Sequence, residues 1–174
     1  MRYFTRELWA ALQSDDASDE ADIGWKKAFE EYAQQLEAVK PRLTTAAFDF
    51  FSNADLHDAE LLSFSIEDGS RPAPIGQPGS PWRTPSDWPI RATMRILEAY
   101  DRFVWTVAYR NVRRLSVNYP GDLMFITGSG FGDLGYHELT ASHSELLQHE
   151  ILFRSGSTIL VEFQGVEIQV SPRV

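Results

Sequence analysis

The sequence predicts an α+β protein in which N-terminal helices pack on an antiparallel β-sandwich or partial barrel of about seven or eight strands. Residues 1–55 carry apolar side chains at helical spacing, whereas apolar and polar residues alternate in most of the rest of the chain. The alternating segments are short and are separated by glycine- and proline-bearing turns, which favours antiparallel pairing. We therefore expect an acidic helical segment at 1–55 and an antiparallel β domain at 56–174, which fold as one cooperative unit.

The first part of the chain is predicted to hold two helices and a shorter helical segment. Thr5 is a suitable N-cap for the first helix, because its hydroxyl can accept an unpaired N–H of the first turn. Pro41 is expected to end the second helix near Lys40, and the shorter segment runs from Thr44 to Phe51. The second helix presents one apolar stripe of residues three or four apart, namely Trp25, Phe29, Tyr32, Leu36, Val39 and Leu43.

The second part of the chain shows the two-residue period of β-strands. Leu62, Phe64 and Ile66 are expected to face the core. Near the end of the chain the inward positions change from odd to even numbers at Gly165, which predicts a bulge or bend there. Residues 68–89 hold six of the nine prolines and are expected to form a long exposed connection. Further strands are predicted at 90–96, 103–109, 115–117, 123–126, 151–153 and 159–170.

The charge of the chain is acidic and unevenly distributed. The net charge is −9, and residues 1–60 contribute −7 of it, with 13 acidic and 6 basic side chains. This disfavours nucleic acids and anionic membranes as partners. It favours a basic protein as a partner, through electrostatic steering, although acidity can equally serve solubility alone.

Residue types that are missing exclude several kinds of site. The chain has no cysteine, which excludes disulfides, thiolate zinc sites and iron–sulfur clusters. The only lysines are Lys26, Lys27 and Lys40, so no Gly-Lys-Ser/Thr phosphate loop exists. No stretch has the length and apolar composition of a signal peptide or a membrane span. We expect a soluble cytoplasmic protein without a cofactor, and the sequence does not fix its oligomeric state.

The tract Leu56–Glu60 is the strongest candidate for chemistry, and it lies where the helical pattern changes to the strand pattern. A carboxylate beside an imidazole can orient it and raise its basicity, so His57, Asp58 and Glu60 are candidates for acid–base catalysis. The alternative is structural, in which these polar side chains satisfy backbone groups at the start of the first strand. We favour the structural interpretation.

Two other patterns permit chemistry and are less specific. Gly130–Gly135 has glycines at positions one, three and six, as in dinucleotide-binding loops, but no amphipathic helix follows it. We interpret it as a glycine-rich turn. His137, His143 and His149 could ligate a metal, yet their spacing of six matches no standard ligand pattern. The favoured interpretation is partly exposed histidines at strand edges.

A binding surface is predicted from aromatic and acidic side chains. Tryptophan in a proline-rich loop is typical of an interface anchor, although both tryptophans of the 68–89 loop can instead fold back over a sheet. The acidic run before the second helix would supply charge complementarity to a basic partner. The candidate binding residues are Trp82, Trp88, Asp15, Asp16, Asp19 and Glu20.

Two motifs resemble those of a bacterial protein family. Residues 3–9 (YFTRELW) and 56–63 (LHDAELLS) resemble an uncharacterised bacterial family whose members open with Tyr-Phe-Thr-Lys-Glu-Leu and carry a central Leu-His-Asp-Ala. Arg6 stands here in place of the usual lysine. The family has no assigned activity, so the resemblance implies no catalytic residue. Size, charge and predicted fold class are also similar to those of immunity proteins of toxin systems.

Three functions are therefore open. The first is a non-enzymatic protein-binding module, such as an immunity-type inhibitor of a basic toxin. The second is a small hydrolase, metal-dependent or acid–base, that uses His57 and nearby carboxylates. The third is an oligomeric structural module that pairs through an exposed sheet edge.

Overall fold

Three α-helices precede eight antiparallel strands in the part of the chain that the structure describes, and this confirms the α+β prediction. The computed structural model describes residues 1–13, 19–69, 90–100, 102–119, 130–142 and 145–173. The helices are α1 (Arg6–Leu12), α2 (Asp19–Val39) and α3 (Thr45–Asn53), with a 3-10 turn at Lys40–Arg42. The strands are β1 (Glu60–Asp68), β2 (Ile90–Leu97), β3 (Phe103–Arg110), β4 (Arg114–Asn118), β5 (Leu134–Ala141), β6 (Leu147–Phe153), β7 (Thr158–Phe163) and β8 (Gly165–Pro172).

The predicted N-cap of the first helix and the predicted end of the second are confirmed, whereas α3 runs two residues past the predicted Phe51. The Thr5 hydroxyl accepts a hydrogen bond from the first turn of α1, and the Thr44 hydroxyl does the same for α3, each at 3.2 Å. α2 ends at Val39, and Pro41 lies in the 3-10 turn that follows. The apolar stripe of α2 is largely buried, but Phe29 is 49% exposed. None of the helices that the structure describes is long and apolar enough to cross a bilayer.

Two four-stranded sheets share a bent hairpin. Their strand orders are β1-β2-β3-β8 and β4-β7-β6-β5. Only Gln164 separates β7 from β8, and three residues separate β3 from β4, so each pair continues from one sheet into the other. The Gln164 N–H donates to the Arg110 carbonyl at 3.2 Å across this corner. In β7 the buried positions are the odd ones, whereas in β8 the buried residue is Val166 and the half-buried Ile168 follows in the same phase, which confirms the predicted bend beside Gly165.

A second junction joins the opposite edges of the two sheets. Ala59, just before β1, forms an isolated antiparallel bridge with Leu134 at the start of β5. The Asp58 N–H donates to the Leu134 carbonyl at 2.9 Å, and the Leu134 N–H donates to the Ala59 carbonyl at 2.8 Å. With the shared hairpin on one side and this bridge on the other, the sheets form a partial barrel.

The first strand corrects one detail of the predicted core. Leu62 is 43% exposed, so the expectation that it faces the core is wrong. Ile66 pairs with the buried Ala92 and shares the inner face with Phe64, but it is 56% exposed near the end of this edge strand. The pairing of β1 with β2 shifts between Leu61 and Ser63, and such a bulge moves the side chains that follow it to the other face. Leu61 and Phe64 are the half-buried residues of this edge strand. The strand predicted at 123–126 and most of the 68–89 loop lie outside the described residues.

The N-terminal strap, residues 1–4, crosses β5 and β6 and is held by one buried and one half-buried carboxylate. Glu138 on β5 is 1% exposed, and its carboxylate accepts the N–H groups of Arg2, of Tyr3 at 2.9 Å and of Phe4 at 3.3 Å. The α-amino group of Met1 forms an ion pair with the Glu150 carboxylate on β6 at 2.6 Å. The Phe4 ring then packs against rings of α2 and β5, namely Trp25, Phe29, Tyr32 and Tyr136.

We expect Glu138→Ala to destabilise the protein strongly. The substitution leaves up to three N–H groups of the strap without an acceptor, and we estimate a loss of about 2–4 kcal/mol in the free energy of unfolding. Urea denaturation measures it. The control is Glu167→Ala, which removes an ion pair with Arg110 between two half-exposed side chains and should cost about 0–1 kcal/mol. Equal losses for the two variants would contradict the role of Glu138.

Candidate functional site

A cavity of about 530 Å³ opens between α2, α3 and the free edge of β5. Its volume lies within the usual range of small-molecule sites, roughly 300–1,000 Å³. Helix residues form two walls, the strap contributes a third, and β5 forms the floor. The rings that line it are Phe4, Phe29, Tyr32, Phe48, Phe51 and Tyr136.

One hydroxyl group fixes the three elements around the cavity. The Tyr32 hydroxyl accepts the Leu139 N–H of β5 at 3.2 Å and donates to the Phe51 carbonyl of α3 at 3.5 Å. Burial raises the pKa of Tyr32, so the hydroxyl keeps the proton that it donates. The free backbone edge of β5 is thereby tied to α2, which leaves the cavity with a defined shape.

A chain of hydrogen bonds runs from the protein core to this cavity. The Tyr109 hydroxyl on β3 lies 2.6 Å from Nδ1 of His149 on β6, and Nε2 of His149 lies 3.1 Å from Nδ1 of His137 on β5. Tyr109 and His149 are fully buried, whereas His137 is half-buried and lines the cavity. This Tyr109–His149–His137 relay therefore links both sheets to the cavity floor.

The two histidines of the relay are neutral near pH 7. Burial lowers the pKa of His137 to about 4. Burial, together with the neighbouring His137, holds the pKa of His149 well below its usual value. Rings of α3 enclose the pair, since Phe51 meets His149 edge-on with the ring centroids 4.9 Å apart. The relay is thus a set of uncharged hydrogen-bonding groups in an apolar surrounding.

The structure corrects the prediction for these histidines. The expectation of partly exposed histidines at strand edges is wrong for His149, which is 1% exposed on an inner strand and hydrogen-bonds to His137. It holds for His137, which is half-buried on the edge strand β5. In the described ranges no group of three or more metal-ligating side chains comes together. His143, the third candidate ligand, lies outside the described residues. Three of the four ring nitrogens of His137 and His149 are already hydrogen-bonded, two to each other and one to the Tyr109 hydroxyl.

His57 lies at the mouth of the same cavity. Its Nδ1 is 3.1 Å from a carboxylate oxygen of Asp58, and its ring meets the Tyr136 ring edge-on at 5.4 Å. The Asp55 carboxylate accepts the His57 N–H at 3.1 Å. Glu60 is exposed on β1 and does not line the cavity. The structure therefore joins two of the three predicted acid–base residues.

The local backbone explains why this tract follows the helices. α3 ends at Asn53, and the Asp55 side chain begins a turn by accepting the His57 N–H. Asp58 has a φ of 61°, a left-handed conformation that aspartate tolerates better than most residues. Its N–H then joins the bridge to β5. The tract is the joint that the sequence predicts, and it also contributes to the cavity.

The glycine-rich tract before β5 has structural roles. Gly130 and Gly132 have φ values of 99° and 73°, which favour glycine. A strand and not a helix follows Gly135, so the helix N-terminus of a dinucleotide site is missing from this position. A Cβ at Gly135 would lie 2.5 Å from the ring of Trp9. Gly135 therefore lets α1 pack closely on β5.

The predicted binding residues fall mostly outside the described part of the chain. Asp15, Asp16, Trp82 and Trp88 lie there. Asp19 and Glu20 are exposed in the first turn of α2. Sequence reasoning missed Tyr109, because nothing local marks a tyrosine on β3 as the partner of a histidine forty residues later.

We expect the free energy of unfolding to fall as the pH is lowered from about 6.5 towards 4. Folding lowers the pKa values of His137 and His149. In this pH range the two imidazoles therefore bind protons in the unfolded chain but stay neutral in the folded protein. Each such imidazole contributes a slope of up to about 1.4 kcal/mol per pH unit. Urea denaturation between about pH 7 and pH 5 measures this slope. His137→Gln keeps an acceptor for His149 and should reduce the slope, whereas an unchanged slope would contradict the assignment.

Known proteins do not indicate a function for this chain, so the functional conclusion rests on the geometry of the cavity and its lining residues. No family model matches the chain, and no curated protein or solved structure shows significant similarity to it. The resemblance to a bacterial family at residues 3–9 and 56–63 therefore stays a prediction.

Proposed function

We propose that the protein is a non-enzymatic binding protein whose cavity takes a small, mainly apolar ligand. The observation that carries the proposal is the cavity of about 530 Å³ that is lined by six aromatic rings and has a neutral imidazole on its floor. Sites for small molecules are typically apolar with a few placed polar groups. The floor and mouth supply such groups in His137 and in the His57–Asp58 pair.

Binding is favoured over hydrolysis by the groups that line the cavity. A hydrolase built on a serine needs the hydroxyl to be hydrogen-bonded to a base. The lining Ser52 instead donates to the Phe48 carbonyl at 2.7 Å. The His57–Asp58 pair is the remaining support for acid–base catalysis, and that alternative stays a prediction.

A basic protein partner, including the toxin partner of an immunity-type inhibitor, remains a second proposal. Its support is the exposed acidic start of α2, where Asp19, Glu20 and Asp22 occupy the first turn. Pairing through a sheet edge is supported by exposed apolar side chains on two edge strands, Leu62 and Ile66 on β1 and Val170 on β8. Either interaction can coexist with a ligand in the cavity.

We expect the neutral fluorescent probe N-phenyl-1-naphthylamine to bind in the cavity with a Kd on the order of 0.1 mM or tighter, from about 0.3 kcal/mol per non-hydrogen atom. Ala33 is exposed on α2 and lines the cavity. Ala33→Trp should therefore narrow the site and weaken binding at least about tenfold. The matched control is Gln34→Trp, which adds the same ring at a neighbouring exposed position that does not line the cavity. Failure of the probe to bind the wild-type protein, or equal weakening by both substitutions, would contradict the proposed function.

A further inference from the structure

The direction of the hydrogen bonds in the relay can be derived from its buried end. The Tyr109 side chain is fully buried, and burial raises its pKa, so its hydroxyl carries a proton. Among the described residues, Nδ1 of His149 is the one partner that this hydroxyl has. A buried O–H without an acceptor costs about 1–3 kcal/mol. The hydroxyl therefore donates to Nδ1 of His149.

This direction is passed along the relay to the cavity. A neutral imidazole has one N–H and one acceptor nitrogen. Because Nδ1 of His149 accepts, Nε2 carries its hydrogen and donates to Nδ1 of His137 at 3.1 Å. Nδ1 of His137 is then an acceptor, and Nε2 of His137 carries the N–H. No described residue accepts this last hydrogen, and His137 is half-buried in the cavity floor. The cavity thus offers an oriented hydrogen-bond donor.

The other surfaces of the cavity define the rest of the ligand. Rings from α2, α3, the strap and β5 favour a flat aromatic body, which they can contact face-on or edge-on. The mouth is acidic: Asp55 and Asp58 lie near the Tyr136 phenol, and their charges add to burial in raising its pKa. A carboxylate ligand would lose its hydration in the apolar interior and face these like charges. The surroundings therefore disfavour an anion.

We propose that the cavity selects neutral aryl carbonyl compounds, such as aryl ketones or amides, whose oxygen accepts the Nε2–H of His137. The inference rests on the proposed function, since it names the class of ligand that the same cavity takes. His137 is the residue that recognises the oxygen. Tyr109 and His149 are positioning residues, because they set which nitrogen of His137 carries the hydrogen.

The experiment compares 2-acetylnaphthalene with 2-isopropenylnaphthalene, in which a CH₂ group replaces the carbonyl oxygen at nearly the same shape. Binding of each is measured by calorimetry at pH 7, for the wild type and for His137→Phe. We expect the preference for the ketone, taken as the ratio of the two Kd values, to fall by about three- to tenfold in His137→Phe, which is the usual net worth of one hydrogen bond. 2-Naphthoate should bind more weakly than the ketone.

Nitrogen-15 NMR of the wild-type imidazoles tests the relay without any substitution. We expect Nε2 of His137 in the protonated range and Nδ1 in the unprotonated range, with Nε2 shifting on addition of the ketone and much less with the hydrocarbon. In Tyr109→Phe the preference for the ketone should decrease, because the proton that orients His149 is gone. This NMR readout also decides the question if His137→Phe does not fold.

The outcomes separate the inference from the proposed function. If neither naphthalene compound binds, the cavity is not a ligand site, and both fail. If both compounds bind and the ratio of their Kd values is the same in the wild type and in His137→Phe, the cavity binds ligands but His137 does not select the carbonyl. Protonation of Nδ1 of His137 instead of Nε2, or tighter binding of 2-naphthoate than of the ketone, would also overturn the inference.

Discussion

The hydrogen bonds that the Glu138 carboxylate accepts from the strap hold together the parts of the molecule that meet around β5. A segment without secondary structure cannot satisfy its own N–H groups, so residues 1–4 could not lie on a sheet without a buried acceptor. Glu138 supplies that acceptor to three consecutive residues. Once the strap is fixed, Phe4 fills the space between α2 and β5, and α2 can pack its aromatic face there. Phe4 and Tyr136 from this packing also line the cavity.

Much of the fold could be predicted because local patterns determine it. Thr5 caps α1, Pro41 follows the end of α2, and the change of phase near Gly165 marks the corner between the sheets. The prediction for Leu62 was wrong because a bulge changes which side chains face the core. The alternation of apolar and polar residues in the sequence does not show where a bulge lies. The bridge between Ala59 and Leu134 joins residues far apart in the chain. No local pattern predicts such a contact.

The candidate site was only partly predictable for the same reason. His57 and Asp58 are adjacent in sequence, so their pairing follows from local geometry. His137 and His149 meet because the β5–β6 register places Leu139 opposite His149, two residues from His137 on the same strand face. That register depends on where the intervening turn lies, and the sequence does not specify it. Tyr109 reaches them from the other sheet, and a contact of this kind depends on how the sheets pack.

The position of Glu138 in the chain also has a consequence for biosynthesis. The strap leaves the ribosome before its acceptor is made, because more than a hundred residues separate Phe4 from Glu138. Until β5 and β6 have emerged, the Phe4 ring and the aromatic face of α2 have no sheet to cover. The nascent chain therefore keeps an apolar helix face exposed until β5 and β6 have been made, which is the condition under which chaperones bind and premature association occurs.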